Sequence, residues 1–113
     1  MGFPADFVWG AATSSYQVEG SAYSDGKGLS VWDVFSRKEE TVWRGHTGDM
    51  ACDHYRLYME DVSLMKEIGL AAYRFSINWP RVIPEGTGKI NTKGLDFYSR
   101  LVDALLQADI EPW

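Results

Sequence analysis

Four groups of side chains in this sequence could do chemistry, and each has a plain structural reading beside the functional one. Arg74 stands between Tyr73 and Phe75 in an apolar stretch. In a strand covered on both faces, a guanidinium without an anion is costly. Arg74 therefore calls for a carboxylate or several carbonyl partners. It either makes a structural ion pair or holds a catalytic carboxylate ionised and oriented. Tyr16, Gln17 and Glu19 follow the first short strand directly, and residues just past the C-terminal ends of parallel strands are those that build active sites in α/β folds. The Gln17 amide both donates and accepts, which suits adjacent hydroxyls of a sugar ring and equally suits unsatisfied loop backbone. Adjacent acids occur as Glu39-Glu40 in a polar loop and Glu60-Asp61 on a helix surface; both read as solvated charges. His46, Asp49, Cys52 and His54 lie close together, but their spacing matches no zinc pattern. They read as capping or loop-packing residues, with no metal and no cofactor.

The elements that must position these residues follow from periodicity. A short strand is expected near Phe7–Ala12, then a Gly-, Ser- and Asp-rich loop from Gly20 to Gly48 with one helical turn near Trp32–Phe35. A helix is expected over about Cys52–Ile68, because Tyr55, Tyr58, Val62 and Met65 recur at steps of three and four. Arg56, Glu60, Asp61 and Lys66 then face water, and Gly69 supplies a left-handed C-terminal cap. A strand over Ala71–Asn78 alternates Tyr73, Phe75 and Ile77 with Ala72, Arg74 and Ser76, and Pro80 stops it. Arg81–Ile90 reads as loop. Asn91 is placed as the N-cap of a second helix whose buried face is Leu95, Tyr98, Leu101, Val102, Leu105 and Leu106, ending near Ala108. A third strand begins at Ile110. Strands alternating with amphipathic helices predict right-handed βαβ units and a parallel sheet. This pattern does not by itself choose between a closed barrel and a doubly wound sheet.

Bulk properties exclude some functions. The 113 residues are 45% apolar and 24% charged, which is a globular composition. The net charge of −5 argues against nucleic acid, which requires clustered Lys and Arg. No basic amphipathic stretch and no run of ~20 apolar residues points to a membrane. Cys52 is the lone cysteine, so no internal disulfide forms and a reducing, cytoplasmic compartment is expected. Met1–Trp9 lacks the basic start and apolar core of a signal peptide.

One resemblance covers nearly the whole chain. Phe7-Val8-Trp9-Gly10-Ala11-Ala12-Thr13-Ser14-Ser15-Tyr16-Gln17-Val18-Glu19-Gly20 is similar to the N-terminal motif of family 1 glycoside hydrolases. Ser30-Val31-Trp32-Asp33, Gly48–Tyr55, Tyr73-Arg74-Phe75-Ser76-Ile77-Asn78-Trp79-Pro80-Arg81 and Gly94–Tyr98 agree in order and spacing. Asp109 departs from it, standing where the family often has Gly in a left-handed cap. The resemblance implies an α/β fold: the N-terminal part of a (β/α)₈ barrel, with residues 1–113 a partial catalytic domain. It implies β-glucosidase-like retaining hydrolysis of β-glycosides. It gives Gln17 to the sugar's outer hydroxyls and Arg74 to the nucleophilic glutamate, and Glu19 reads as structural. The family's catalytic glutamates stand in Asn-Glu-Pro and Glu-Asn-Gly contexts, and this sequence contains neither. The expected partner is a β-glycoside. Phosphorylated glycosides and a non-catalytic sugar-binding role are the alternatives. An unclosed barrel exposes strand edges and apolar surface, so the chain alone is expected to fold poorly, self-associate, or be complemented by the rest of a barrel.

Overall fold

The helix expected first from periodicity spans the middle of the chain. In the computed structural model, which describes residues 2–113, α3 runs His54–Glu67. Its Tyr55, Tyr58, Val62 and Met65 all pack into the core, as their spacing predicts. Beyond it Gly69 adopts φ +82°, a left-handed conformation that glycine takes without a Cβ penalty. The remaining elements are β1 (Gly10–Ala12), α1 (Ser15–Val18), α2 (Val31–Phe35), a 3₁₀ turn (Trp43–Gly45), β2 (Ala72–Arg74), α4 (Trp79–Val82), α5 (Thr92–Gln107) and β3 (Glu111–Pro112).

The three strands form one parallel sheet in the order β1-β2-β3. Gly10 pairs with Ala72, Ala12 with Arg74, and Tyr73 with Pro112. Tyr73 is buried among Val62 of α3 and Phe97, Leu101 and Leu105 of α5, with Ile110 beside them. Both crossover helices thus lie on one face of the sheet, and the strand order never reverses. A doubly wound sheet reverses its order and takes helices on both faces. Steady progression with helices on one side is how a (β/α)₈ barrel grows, and three strands of it also match the first half of a doubly wound sheet of order 3-2-1-4-5-6.

Several expectations change in detail. The hydrogen-bonded strands are shorter than predicted, and β2 ends at Arg74, so Ile77 leaves the sheet and is exposed. Pro80 does not terminate that strand. It sits in the first turn of α4, where a missing N–H leaves no hydrogen bond unmade. Asn91 is the residue before α5 but makes no side-chain cap; its amide donates to the carbonyls of Asp25 and Arg81 instead. The buried stripe of α5 is Gly94, Phe97, Tyr98, Leu101, Ala104 and Leu105, whereas Leu95 and Leu106 are exposed. Gly94 decides this rotation, because a Cβ there would stand 1.9 Å from the Arg81 carbonyl oxygen of α4. The expected turn at α2 is present and carries a capping box. Ser30 Oγ accepts from the Asp33 N–H, and the Asp33 carboxylate accepts from the Ser30 N–H. Asp109 occupies a left-handed conformation at φ 59°.

Candidate functional site

The segments leaving β1 and β2 are stitched together at the C-terminal end of the sheet. Thr13 N–H donates to the Arg74 carbonyl at 3.0 Å, and Ser15 N–H donates to Ser76 Oγ at 2.8 Å. Thr13 Oγ1 and the Tyr73 hydroxyl share a hydrogen bond of 2.6 Å. The chain then makes the single turn α1, too short to leave a periodic trace in the sequence. Ser14 Oγ donates to Gln17 Oε1 at 2.7 Å. Gln17 is exposed and lines a cleft of about 290 Å³ together with Tyr16, Trp32 and His46. The Tyr16 and Trp32 rings stack along one wall, their centroids 6.0 Å apart.

Arg74 is not buried. It is exposed at the end of β2, and among the described residues it makes no ion pair. The expectation of a covered strand fails because α3 and α5 both pack on the Tyr73 face, while Arg74 projects from the other. The guanidinium is therefore hydrated, and no internal carboxylate is required to hold it.

The buried arginine is Arg81, which the sequence reading placed in a loop. It is fully buried in α4, and its partner is Glu19. Arg81 Nε donates to Glu19 Oε2 at 3.0 Å, and Arg81 Nη2 donates to the Gly20 carbonyl at 3.0 Å. Its guanidinium lies 4.1 Å from the centre of the Tyr55 ring, a cation–π contact. The Tyr98 hydroxyl donates to Glu19 Oε1 and accepts from the Asn78 N–H. Burial first, then the Glu19 charge and hydrogen bond, push the Tyr98 phenol well above its ordinary range, so it stays a neutral donor. Both oxygens of Glu19 are occupied in a closed interior. This carboxylate ties β1's outgoing segment to α4 and α5 and is structural, as expected. No spacing rule links Glu19 to Arg81; the only trace in the sequence is that both lie in matching family motifs.

The other candidates separate. Glu39 and Glu40 are exposed in the loop after α2, as expected. Asp61 is not simply solvated, for its Oδ2 lies 2.6 Å from Nδ1 of the buried His54. Residues 54 and 61 are two helical turns apart on one face of α3, a spacing visible in the sequence. Asp49 pairs with Arg37 at 2.5 Å, Cys52 is exposed, and His46 lines the cleft beside Gln17. What this arrangement can do is bind and orient. An amide and a guanidinium stand exposed at the same end of a parallel sheet, above a rigid ionic floor.

Comparison with known proteins agrees with this geometry. The model of glycosyl hydrolase family 1 matches residues 1–113. The chain is 60% identical over 110 residues to β-glucosidase A of Acetivibrio thermocellus, covering 97% of this chain and 25% of that protein. It is 54% identical to an aryl-phospho-β-D-glucosidase of Bacillus subtilis, over 97% of this chain and 23% of that one. A β-glucosidase from Thermotoga maritima solved with castanospermine superposes with a TM-score of 0.95 at 54% identity, over 98% of this chain and 25% of that structure. The chain thus spans about a quarter of the length of the relatives it matches.

Proposed function

Because the chain belongs to glycosyl hydrolase family 1, we propose that it serves as one sector of a β-glucosidase-like enzyme that hydrolyses β-glycosidic bonds with retention. The observation that supports this is the exposure of Gln17 and Arg74 at the C-terminal ends of adjacent parallel strands, the end where barrel enzymes assemble their sites. Retaining hydrolysis needs an acid/base and a nucleophile, two carboxyl groups ~5 Å apart. With neither glutamate motif in this sequence, its share of the work is support. The Gln17 amide bonds hydroxyls of the sugar. Arg74 lies beside the nucleophilic carboxylate, where its charge favours the ionised form and fixes its orientation. The rest of a barrel pairs with the open edges of β1 and β3; alone, the chain is inactive and self-associates. A cytoplasmic setting fits the lone, exposed thiol of Cys52.

The Bacillus subtilis relative favours a second reading, action on 6-phosphorylated glycosides. Gln17 and Arg74 would play the same parts, with phosphate recognised elsewhere in the barrel.

The test is a chimera in which this chain replaces the matching quarter of the Acetivibrio thermocellus enzyme. It is expected to hydrolyse an aryl β-glucoside, whereas the 113-residue chain alone is not. Arg74→Met should lower kcat/KM about ten- to hundred-fold, since hydrogen bonds to charged groups are worth ~1.5–3 kcal/mol, and Gln17→Ala about tenfold, since each neutral hydrogen bond is worth ~0.5–1.5 kcal/mol. Preference for the 6-phosphorylated aryl glucoside would select the second reading. Turnover by the chain alone, or a folded chimera indifferent to both substitutions, would sink the assignment.

A further inference from the structure

His54, the first residue of α3, is buried with one ring nitrogen unmatched. Asp61 takes Nδ1 at 2.6 Å, while Nε2 has no hydrogen-bond partner among the described residues. Folded proteins meet such groups with internal water wherever the surroundings are polar and roomy enough. Here the room suffices, and a few polar groups stand on an otherwise largely apolar wall. His54 lines a cavity of about 10 Å³, roughly the room a single water needs. Thr13, Ser15, Tyr73, Ser76 and Tyr98 carry hydroxyls on its lining residues.

We propose that this cavity binds one water on His54 Nε2, and that His54 thereby acts as a positioning residue for the Gln17 turn. The hydrogen bonds balance. The Asp61 carboxylate accepts, so the hydrogen of that bond sits on His54 Nδ1, and Nε2 is left to bond the water. Of the Thr13 and Tyr73 hydroxyls, one donates to the other, which leaves one proton to donate to the water. Ser76 Oγ accepts from the Ser15 N–H, so its own proton is free as well. Ser15 and Val18, three apart on α1, line the cavity, whereas Ser14 and Gln17, the alternate pair, line the outer cleft. The water is thus the floor on which the turn rests. It joins Asp61 and His54 of α3 to the ends of β1 and β2, and through them to the amide that meets the sugar.

This inference rests on the reading of Gln17 as a sugar ligand, and the experiment separates the two. A crystal structure of the chimera at a resolution that shows ordered water should place one solvent peak within hydrogen-bond distance of His54 Nε2; an empty cavity overturns the proposal outright. A double-mutant cycle then tests the positioning role. His54→Phe keeps an aromatic ring, one atom larger, and removes both nitrogens, and should lower kcat/KM on an aryl β-glucoside about tenfold, but less than about twofold when Gln17 is already Ala. Equal losses in both backgrounds would mean a general structural role and overturn the positioning claim. Should the Phe variant not fold, His54→Gln, which keeps a polar group at the cavity, enters the same cycle with the same criterion and a smaller expected loss. If Gln17→Ala alone costs nothing, the sugar-ligand reading fails instead, and the solvent peak by itself decides the water site.

Discussion

Glu19 and Asp33 show how much a single buried carboxylate can hold. Glu19→Gln leaves Arg81 buried without its counter-charge, a loss of about 3–5 kcal/mol for a buried pair broken on one side. Its thermal unfolding in the chimera should therefore shift down more than for any surface acid, Glu39→Gln serving as the control. Asp33 is almost fully enclosed; burial pushes its carboxyl up. The hydrogen bond and charge of Lys27, at 2.7 Å, and the Ser30 bonds outweigh that and hold the pKa below its ordinary value of about 3.8. A depressed carboxylate contributes stability that is present above the unfolded pKa and is lost as pH falls through the folded one. The melting temperature should therefore drop as pH falls below about 3.8, and Asp33→Asn should flatten that acid limb while lowering stability at neutral pH. At this scale the sequence reads unevenly. Glu19 is recognisable as structural from its motif, but its partner is not, because Arg81 follows a proline that reads as a breaker. Arg74 is exposed because which face of a strand is covered depends on where the helices land, which the strand's own residues do not record; Arg81 is buried because the turn α4 lays it against Glu19.

At the level of elements, α3 is legible because one apolar stripe meets one core. Helix α5 is harder, since its inward face holds Gly94 and Ala104 and its flank holds Leu95 and Leu106. Hydropathy ranks leucine above glycine, but close approach to α4 demands the absence of a side chain. The consequence is measurable. Leu101→Ala empties a fully packed position and should cost about 2–5 kcal/mol. Leu95→Ala, more apolar than Gly94 yet half exposed, should stay within about 1 kcal/mol. Similar costs for the two would mean that α5 is rotated as hydropathy suggests. The short turns α1 and α4 left no periodic trace, because four residues span barely one helical repeat.

The molecule as a whole is a slab, with extents of 49 × 34 × 23 Å and a radius of gyration of 15.9 Å, against about 13 Å for a self-contained domain of this length. Trp9, Trp32, Trp43, Trp79 and Trp113 are all more than half exposed. Surface of this kind invites association. Sedimentation of the 113-residue chain should show species larger than the monomer that grow with concentration, and a monomer with one cooperative unfolding transition would contradict that. The closed-barrel architecture is readable from strand and helix alternation only with the help of the motifs; an unreversed order of three strands is shared with half of a doubly wound sheet, and the likeness to solved family 1 β-glucosidases decides it. The Glu19 tether also has a meaning in time. It joins residues 62 and 79 positions apart, and closing loops of that length costs entropy before any contact repays it. Helices α3 and α5 with β2 and β3 between and beside them can condense first from nearer contacts. The β1–α1 arm, with Gln17 at its tip, is then expected to dock after them, and its amides should exchange with solvent deuterium sooner than those of α3 and α5, so the part of the chain that would meet the sugar opens more readily than the core behind it.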